Sequence, residues 1–217
     1  MNKLDMLRNA PLFESLNDDE LHSLARTLTE RSFKRGMVIF QEQDYADALF
    51  LILAGKVKVM LTDQDGNEVI VSLLGDGECF GEMGLFGTDG RSAQVVAMTD
   101  VCLLVLAKGD FGNWLERNAS IALKIIQQLS QRLRKANSLI NNLATLDVQS
   151  RVARVLLESA EQVDGQLQVA EPLTQQDMAS MVGASRERVN RALKKLEKSG
   201  FIRMEGRRIL VLQAQPS

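Results

Sequence analysis

Cysteine, histidine and proline are scarce in this chain of 217 residues: two, one and three copies. Two thiols, Cys79 and Cys102, supply neither a disulfide framework nor the four ligands of an iron–sulfur or four-cysteine zinc site. In the cytoplasm, the compartment expected below, they are reduced thiols. With His22 alone, there is no histidine cluster for a metal and no nucleophile–base relay, and no Walker loop occurs either, so an enzyme is not expected. Aromatics make up 5%, with Trp114 and Tyr45 each the only one of its kind. No run approaches the roughly 20 apolar residues of a membrane span. The first ten residues mix charge with apolar side chains and hold no signal-peptide core, so the expected location is cytoplasmic. What remains, 45% hydrophobic and 25% charged, is ordinary for a soluble globular protein of one large or two small domains.

Net charge is −2, unevenly placed. Residues 174–217 carry nine basic and four acidic side chains, a net of +5, which leaves −7 for the rest. A basic end on an acidic body suits a polyanionic partner at that end.

The longest organised stretch is Ala119 to Leu143. Ala119, Ala122, Ile126, Leu129, Leu133, Ala136, Ile140 and Leu143 alternate steps of three and four, with no Pro or Gly between them. A helix here would be about 35–40 Å long. Its apolar stripe is narrow, which suits an equal partner better than a broad core. Ile126, Leu129, Leu133, Ala136, Ile140 and Leu143 are therefore the expected dimer seam; the alternative is a long helix packed on its own domain.

Before that helix, Asn17 and Glu20 have the spacing of a capping box ahead of Leu21, Leu24, Ala25 and Leu28. From Met37 the texture changes. Residues 48–54 (ALFLILA) read as a buried strand, 56–60 alternate, and 68–74, 92–97 and 101–106 continue the pattern between glycine-rich turns. Asp65-Gly66 suits a tight hairpin turn. Many short strands with glycine punctuation predict a β-sandwich or roll.

Inside it lies FGEMGLFGTDGRSA, residues 80–93. Gly81, Gly84 and Gly87 would let the backbone approach a ligand. Met83 to Phe86 could make one helical turn that aims N–H groups at an anion. Glu82 offers an acceptor for a sugar hydroxyl, Arg91 a fixed fork for phosphate, and Ser92 a hydroxyl. A glycine-rich sheet corner with a surface Arg–Glu pair fits the same residues.

Past the long helix, Asp147 is the expected N-cap of a helix bearing Val148, Val152, Val155 and Leu156. Residues 161–168 read as a polar loop or a hairpin. Thr174 caps a helix over 175–182, Gly183 makes a sharp turn, and Ser185 caps a second helix over 186–198. Residues 201–204 and 208–212 flank Glu205-Gly206-Arg207 as a wing. This order is a winged helix-turn-helix. Its second helix presents Arg186, Glu187, Asn190 and Arg191, residue types matched to base edges in a major groove. Gln175, Ser185, Lys194 and Lys195 are the expected phosphate contacts. A plain intrahelical pair of Glu187 with Arg191 is the simpler reading of that acid.

The FGEMGLF…RSA segment is similar to the phosphate-binding cassette of cyclic-nucleotide-binding β-rolls, and Arg-Glu-x-x-x-Arg at 186–191 resembles the recognition helix of cyclic-AMP receptors, which implies that Arg186, Glu187 and Arg191 are the base readers. Over nearly its whole length the chain resembles the cyclic-AMP receptor protein and fumarate–nitrate reductase regulator (CRP/FNR) family of bacterial transcription factors. The resemblance implies an α+β fold: a β-roll sensor over 1–116, a dimerisation helix over 117–145 and a winged helix over 146–217. It implies an effector site at Gly81, Glu82, Met83, Arg91 and Ser92, with Asn137 on the long helix. It implies a homodimer on double-stranded DNA with palindromic, TGTGA-like half-sites, and an activator that meets RNA polymerase. Loss of Arg91 is then expected to silence the effector response and leave basal DNA binding. Two departures stand out. Ala136-Asn137 replace the Thr–Ser pair that meets adenine, so cyclic AMP leads but cyclic di-GMP, or activity without ligand, stays open. Arg188 replaces a small residue and could add a phosphate or flanking-base contact. The iron–sulfur and haem sensors of the family are not expected, since cysteines are too few and the one histidine, His22, sits in the expected N-terminal helix. The rival of another class is a cyclic-nucleotide-responsive module that binds a protein partner.

Overall fold

The computed structural model describes residues 3–87, 90–169, 173–206 and 208–212. Thr88 and Asp89 of the glycine-rich segment, and Arg207 of the expected wing, lie outside the described residues. The chain divides into two compact units, one of residues 1–61 and 71–134, the other of 62–70 and 135–217.

The first unit opens with α1 (Lys3–Asn9), a 3-10 turn (Pro11–Phe13) and α2 (Asp18–Thr27). The capping box of α2 is present: Asn17 Oδ1 accepts from Glu20 N at 3.0 Å and Glu20 Oε2 from Asn17 N at 2.8 Å. Then come β1 (Thr29–Phe33), β2 (Val38–Phe40), β3 (Ala48–Ala54), β4 (Val57–Thr62), β5 (Glu68–Leu74), β6 (Cys79–Phe80), α3 (Glu82–Phe86), β7 (Gln94–Ala97), β8 (Val101–Ala107) and α4 (Lys108–Arg117), the end of β4 and the start of β5 counting with residues 62–70 of the other unit. The strands form two four-stranded sheets, in the orders β1-β8-β3-β6 and β2-β7-β4-β5.

The unbroken apolar run of β3 follows from its position. Leu49 and Leu51 enter a core shared with Leu7, Leu24, Phe111, Ile121 and Ile125 from the helices. Ala48, Phe50 and Ile52 point the other way, into a core with Val57, Val95 and Ala97 of the second sheet. A strand covered on both faces needs apolar residues at every position rather than every second one. Each Leu or Ile so buried contributes about 1.5–3 kcal/mol before entropy is subtracted.

The β4–β5 connection is longer than a two-residue turn. Asp63 organises it, its carboxylate accepting from Asp65 N, Asn67 N and Asn67 Nδ2 at 2.8–2.9 Å. These donors hold the Asp63 carboxyl below its ordinary pKa. β1 and α4 carry weak sequence signals. Four of five β1 residues are exposed and polar, and α4 has no capping side chain.

α5 (Ala119–Thr145) is one continuous helix, and the division between the units falls within it. In the second unit, α6 (Val148–Glu158) is capped by Asp147, which accepts from Ser150 N at 2.8 Å. β9 (Ala160–Val163) and β10 (Gln166–Val169) form a hairpin, which settles the loop-or-hairpin alternative. Its turn residues Asp164 and Gly165 both have positive φ, 51° and 76°, as a two-residue turn between right-twisted strands requires. α7 (Gln175–Val182), α8 (Arg186–Lys198), β11 (Ile202–Glu205) and β12 (Arg208–Val211) complete the unit. β10 also pairs with β12, so both hairpins share one sheet, β11-β12-β10-β9. Val152, Leu156, Val182, Val189, Leu193 and Leu196 are each at most 1% exposed and form the helical core.

Candidate functional site

The glycine-rich segment folds as β6, then α3, then a return to β7. Gly81 caps α3 in the left-handed region, φ 86°. A Cβ at Gly81 would lie 2.7 Å from Arg91 Nη1, and one at Gly84 would lie 2.6 Å from the Ala46 Cβ and 2.7 Å from the Gly90 carbonyl. This corrects the expectation that these glycines clear space for a ligand: at both positions the protein itself fills the space. Gly87 ends α3 in extended backbone, φ −102°, which asks nothing special of glycine. Gly81→Ala is expected to cost more than about 1 kcal/mol, from φ and clash together; an unchanged melting temperature would refute the crowding.

Arg91 and Glu82 are buried, 3% and 2% exposed, which removes the surface Arg–Glu reading. They do not pair with each other. Arg91 Nη1 donates to Ala48 O and Gly81 O, each at 2.9 Å, and Nη2 to Asp47 Oδ1 at 3.3 Å. The guanidinium also lies 4.4 Å from the centroid of the Phe40 ring and 5.3 Å from that of Phe50. Burial lowers the Arg91 pKa, while Asp47 and Asp44 act in the opposite direction. Glu82 Oε1 accepts from Arg132 Nη1 at 2.6 Å, and Arg132 Nη2 donates to the Cys79 carbonyl. Glu82 Oε2 and Arg91 Nε are buried and have no hydrogen-bond partner among the described residues. Ser92 and Met83 are exposed beside each other, Ser92 Oγ lying 3.6 Å from Met83 Sδ. Asn137 is exposed on α5. Cys79 is buried, and burial first, then Glu82, push its thiol up to about 12, so it is inert at neutral pH.

The seam positions divide along α5. Ile126, Leu133 and Ile140, seven residues apart, are 58%, 63% and 64% exposed, and Leu143 is 37% exposed. Leu129 instead packs half-buried against the first unit's core, beside the buried Ile121 and Ile125. Of the expected seam residues, Leu129 is thus the one that packs on the helix's own domain. Leu123, outside the expected seam, adds an exposed apolar side chain at 61%.

In the second unit, Thr174 Oγ1 accepts from Asp177 N at 3.0 Å and donates to Asp177 Oδ2 at 2.6 Å, fixing the start of α7. Gly183 then turns the chain at φ 58°, and a Cβ there would approach Leu143 Cδ2 at 3.1 Å. Ser185 caps α8, accepting from Arg188 N at 3.3 Å. Arg186, Glu187, Arg188, Arg191, Lys194 and Lys195 are all exposed on α8, and Gln175 is half-buried on α7. Glu187 and Arg191 pair at 2.9 Å across one turn, the simpler arrangement for that acid. Both are more than 60% exposed, so the pair contributes little and opens readily.

Comparison with known proteins joins the two halves. The cyclic nucleotide-binding domain pattern matches residues 30–118, and the Crp-like helix-turn-helix domain pattern matches 150–215. The CRP-like cAMP-activated global transcriptional regulator of Mycobacterium tuberculosis is 32% identical over 97% of this chain and 96% of its own. The chain belongs to the CRP/FNR family. As a CRP/FNR protein it is a DNA-binding transcription regulator with a cyclic nucleotide-binding domain. Another relative, the cAMP-activated global transcriptional regulator Vfr of Pseudomonas aeruginosa, is 32% identical over 94% of this chain and 97% of its own. Among solved structures, the c-di-GMP-responsive global regulator CLP of Xanthomonas campestris superposes with a TM-score of 0.79 at 25% identity, over 91% of this chain and all of that one.

Two residues of this CRP/FNR regulator escaped sequence reasoning. Arg132 holds Glu82 from 50 positions away, and Asp47 holds Arg91 from 44. Arg132 sits one residue before the seam leucine Leu133, on a helix read for its apolar spacing; no local pattern marks it. Among the described residues no group of His, Cys, Asp and Glu could hold a metal ion, and no helix is long and apolar enough to cross a membrane.

Proposed function

We propose that this regulator is a cytoplasmic homodimer that binds a cyclic nucleotide in the roll of residues 1–116 and reads a palindromic DNA site through residues 146–217. It acts by binding and not by catalysis, and meets RNA polymerase as an activator. The observation that carries the effector reading is the pair of buried, unpartnered atoms, Glu82 Oε2 and Arg91 Nε. A buried polar atom left without a partner costs roughly 1–3 kcal/mol. A ribose hydroxyl supplies the donor that Glu82 lacks, and a cyclic phosphate the acceptor that Arg91 lacks. Gly81, Met83 and Ser92 frame the same segment. The relatives named as cAMP-activated favour cyclic AMP. The ligand need only bind the DNA-competent state better to switch the protein.

A second reading, cyclic di-GMP, has its own support. Ala136 has no polar side chain, Asn137 both donates and accepts, and the superposable CLP is named as c-di-GMP-responsive. We assign Asn137 to base recognition under either ligand. DNA anisotropy on a TGTGA-type palindrome, titrated with cyclic AMP, cyclic GMP, cyclic di-GMP and none, separates the readings. Cyclic AMP is expected to tighten binding most; tightening by none of the three would refute effector control by these nucleotides.

On the DNA side, Arg186, Glu187 and Arg191 are the proposed base readers, with Gln175, Ser185, Lys194 and Lys195 on phosphates. Arg186→Ala is expected to lose about 1–3 kcal/mol of base discrimination. An equal loss on all sequences would make Arg186 a phosphate contact.

A further inference from the structure

α3 leaves two apolar side chains in solvent, Met83 at 56% exposed and Phe86 at 58%. Phe86 still has a ring to meet, Phe111, edge-on at 5.8 Å between centroids. Met83 meets a hydroxyl instead: Ser92 Oγ donates to its thioether sulfur at 3.6 Å. A thioether is a weak acceptor, so this bond is weak, and the side chain stays open to small solutes. Met83 is the most exposed of the described methionines. Met60 and Met178 are 2% exposed, Met6, Met98 and Met181 are half-buried, and Met37 and Met204, at 48% and 38%, lie outside the glycine-rich segment. The thiols are poorer targets for an oxidant. Burial and Glu82 push Cys79 up to about 12, and burial and Glu30 raise Cys102, so neither offers much thiolate at neutral pH. A thioether has no proton to lose and stays nucleophilic at any pH.

We propose that Met83 is a reversible oxidation site whose sulfoxide weakens the effector site. The oxidant is a hydroperoxide. The sulfur lone pair attacks one peroxide oxygen, an S–O bond forms and the O–O bond breaks, and the other oxygen leaves with the proton as water or an alcohol. Sulfur loses two electrons and the peroxide gains them. The new oxygen extends from Sδ across the gap to Ser92 Oγ and accepts far more strongly than the thioether did. Ser92 has a single O–H to give. Once the sulfoxide holds it, that donor is lost to a cyclic phosphate, and the negative end of the S–O dipole stands beside the anion. Met83 is exposed, so the added polarity costs the fold little. The inference rests on the effector reading and adds to it a regulation by oxidant.

The test uses the full-length protein, treated with hydrogen peroxide until peptide mass spectrometry finds one added oxygen on Met83. Calorimetric titration with cyclic AMP, cyclic GMP and cyclic di-GMP is run before and after. The affinity for the nucleotide that binds is expected to fall about three- to tenfold, the worth of one hydrogen bond. Methionine sulfoxide reductases A and B, one for each epimer, should together restore it, and a thiol reductant alone should not. Met83→Leu and Ser92→Ala are each read as the ratio of affinities before and after peroxide, so their own starting affinities drop out. Both ratios should stay near one, because the first has no sulfur to oxidise and the second no hydroxyl to lose. A Met83→Leu protein that still lost affinity would place the lesion elsewhere. Recovery by thiol reductant alone would make it a cysteine, and oxidised Met83 with full affinity would leave the site unregulated; any of the three overturns the proposal. Untreated protein that bound none of the three nucleotides would refute the effector reading itself, and this inference with it.

Discussion

Replacing Arg91 with Ala is expected to destabilise the roll as well as silence the effector. The family resemblance implies a clean separation, with effector response gone and basal DNA binding kept. The structure argues otherwise. Arg91 ties the Ala48 carbonyl at the start of β3 to the Gly81 carbonyl at the cap of α3, takes Asp47 on its other nitrogen, and packs on Phe40 and Phe50. Alanine removes those charge-assisted bonds, strands two carbonyls and leaves a void among aromatic rings. The cost is on the order of 3 kcal/mol, enough to lower the melting temperature by roughly 10 °C for a unit of this size. Lysine keeps the charge but has no planar fork for two carbonyls and a carboxylate, so Arg91→Lys should recover only part of the loss. Thermal melting beside calorimetric nucleotide titration decides the matter. An alanine variant that melts as wild type yet binds no nucleotide would show that Arg91 holds ligand alone.

The second large effect belongs to α5. Leu133→Asp combined with Ile140→Asp should convert the proposed dimer to single chains and leave each chain folded. Both side chains are more than 60% exposed in the isolated chain, so charge there costs little until a partner covers them. Against a partner, each buried unpaired carboxylate is expensive. A palindrome held at one half-site loses the advantage of linkage, about 10²- to 10⁴-fold in affinity. Sedimentation at working concentration reads the mass and anisotropy the affinity. A doubly substituted protein that still sedimented as a dimer would place the seam elsewhere, with Leu123 and Ile126 the next residues to test.

Local chemistry accounts for what is legible in the sequence. The caps at Asn17, Asp147, Thr174 and Ser185 each close a hydrogen bond three residues away, so a short window of sequence contains both partners. The two-helix reader is equally plain, since Gly183 between capped helices states its own turn. β1 and α4 escape notice for the opposite reason. β1 is polar and exposed, and joins its sheet through backbone pairing with β8, while α4 starts without a capping side chain.

Sequence alone thus establishes a strand-rich roll with its glycine-rich segment, the winged reader and an apolar row along α5. Those follow from periodicity, caps and residue types within a few positions of one another. Where the charged side chains point is a matter of tertiary packing. Packing turns Arg91 inward onto carbonyls, joins Glu82 to Arg132, fills the space beside Gly81 and Gly84, and assigns Leu129 to its own core. A charge inside a fold must find a partner, and here those partners lie tens of residues away, beyond the reach of any local pattern.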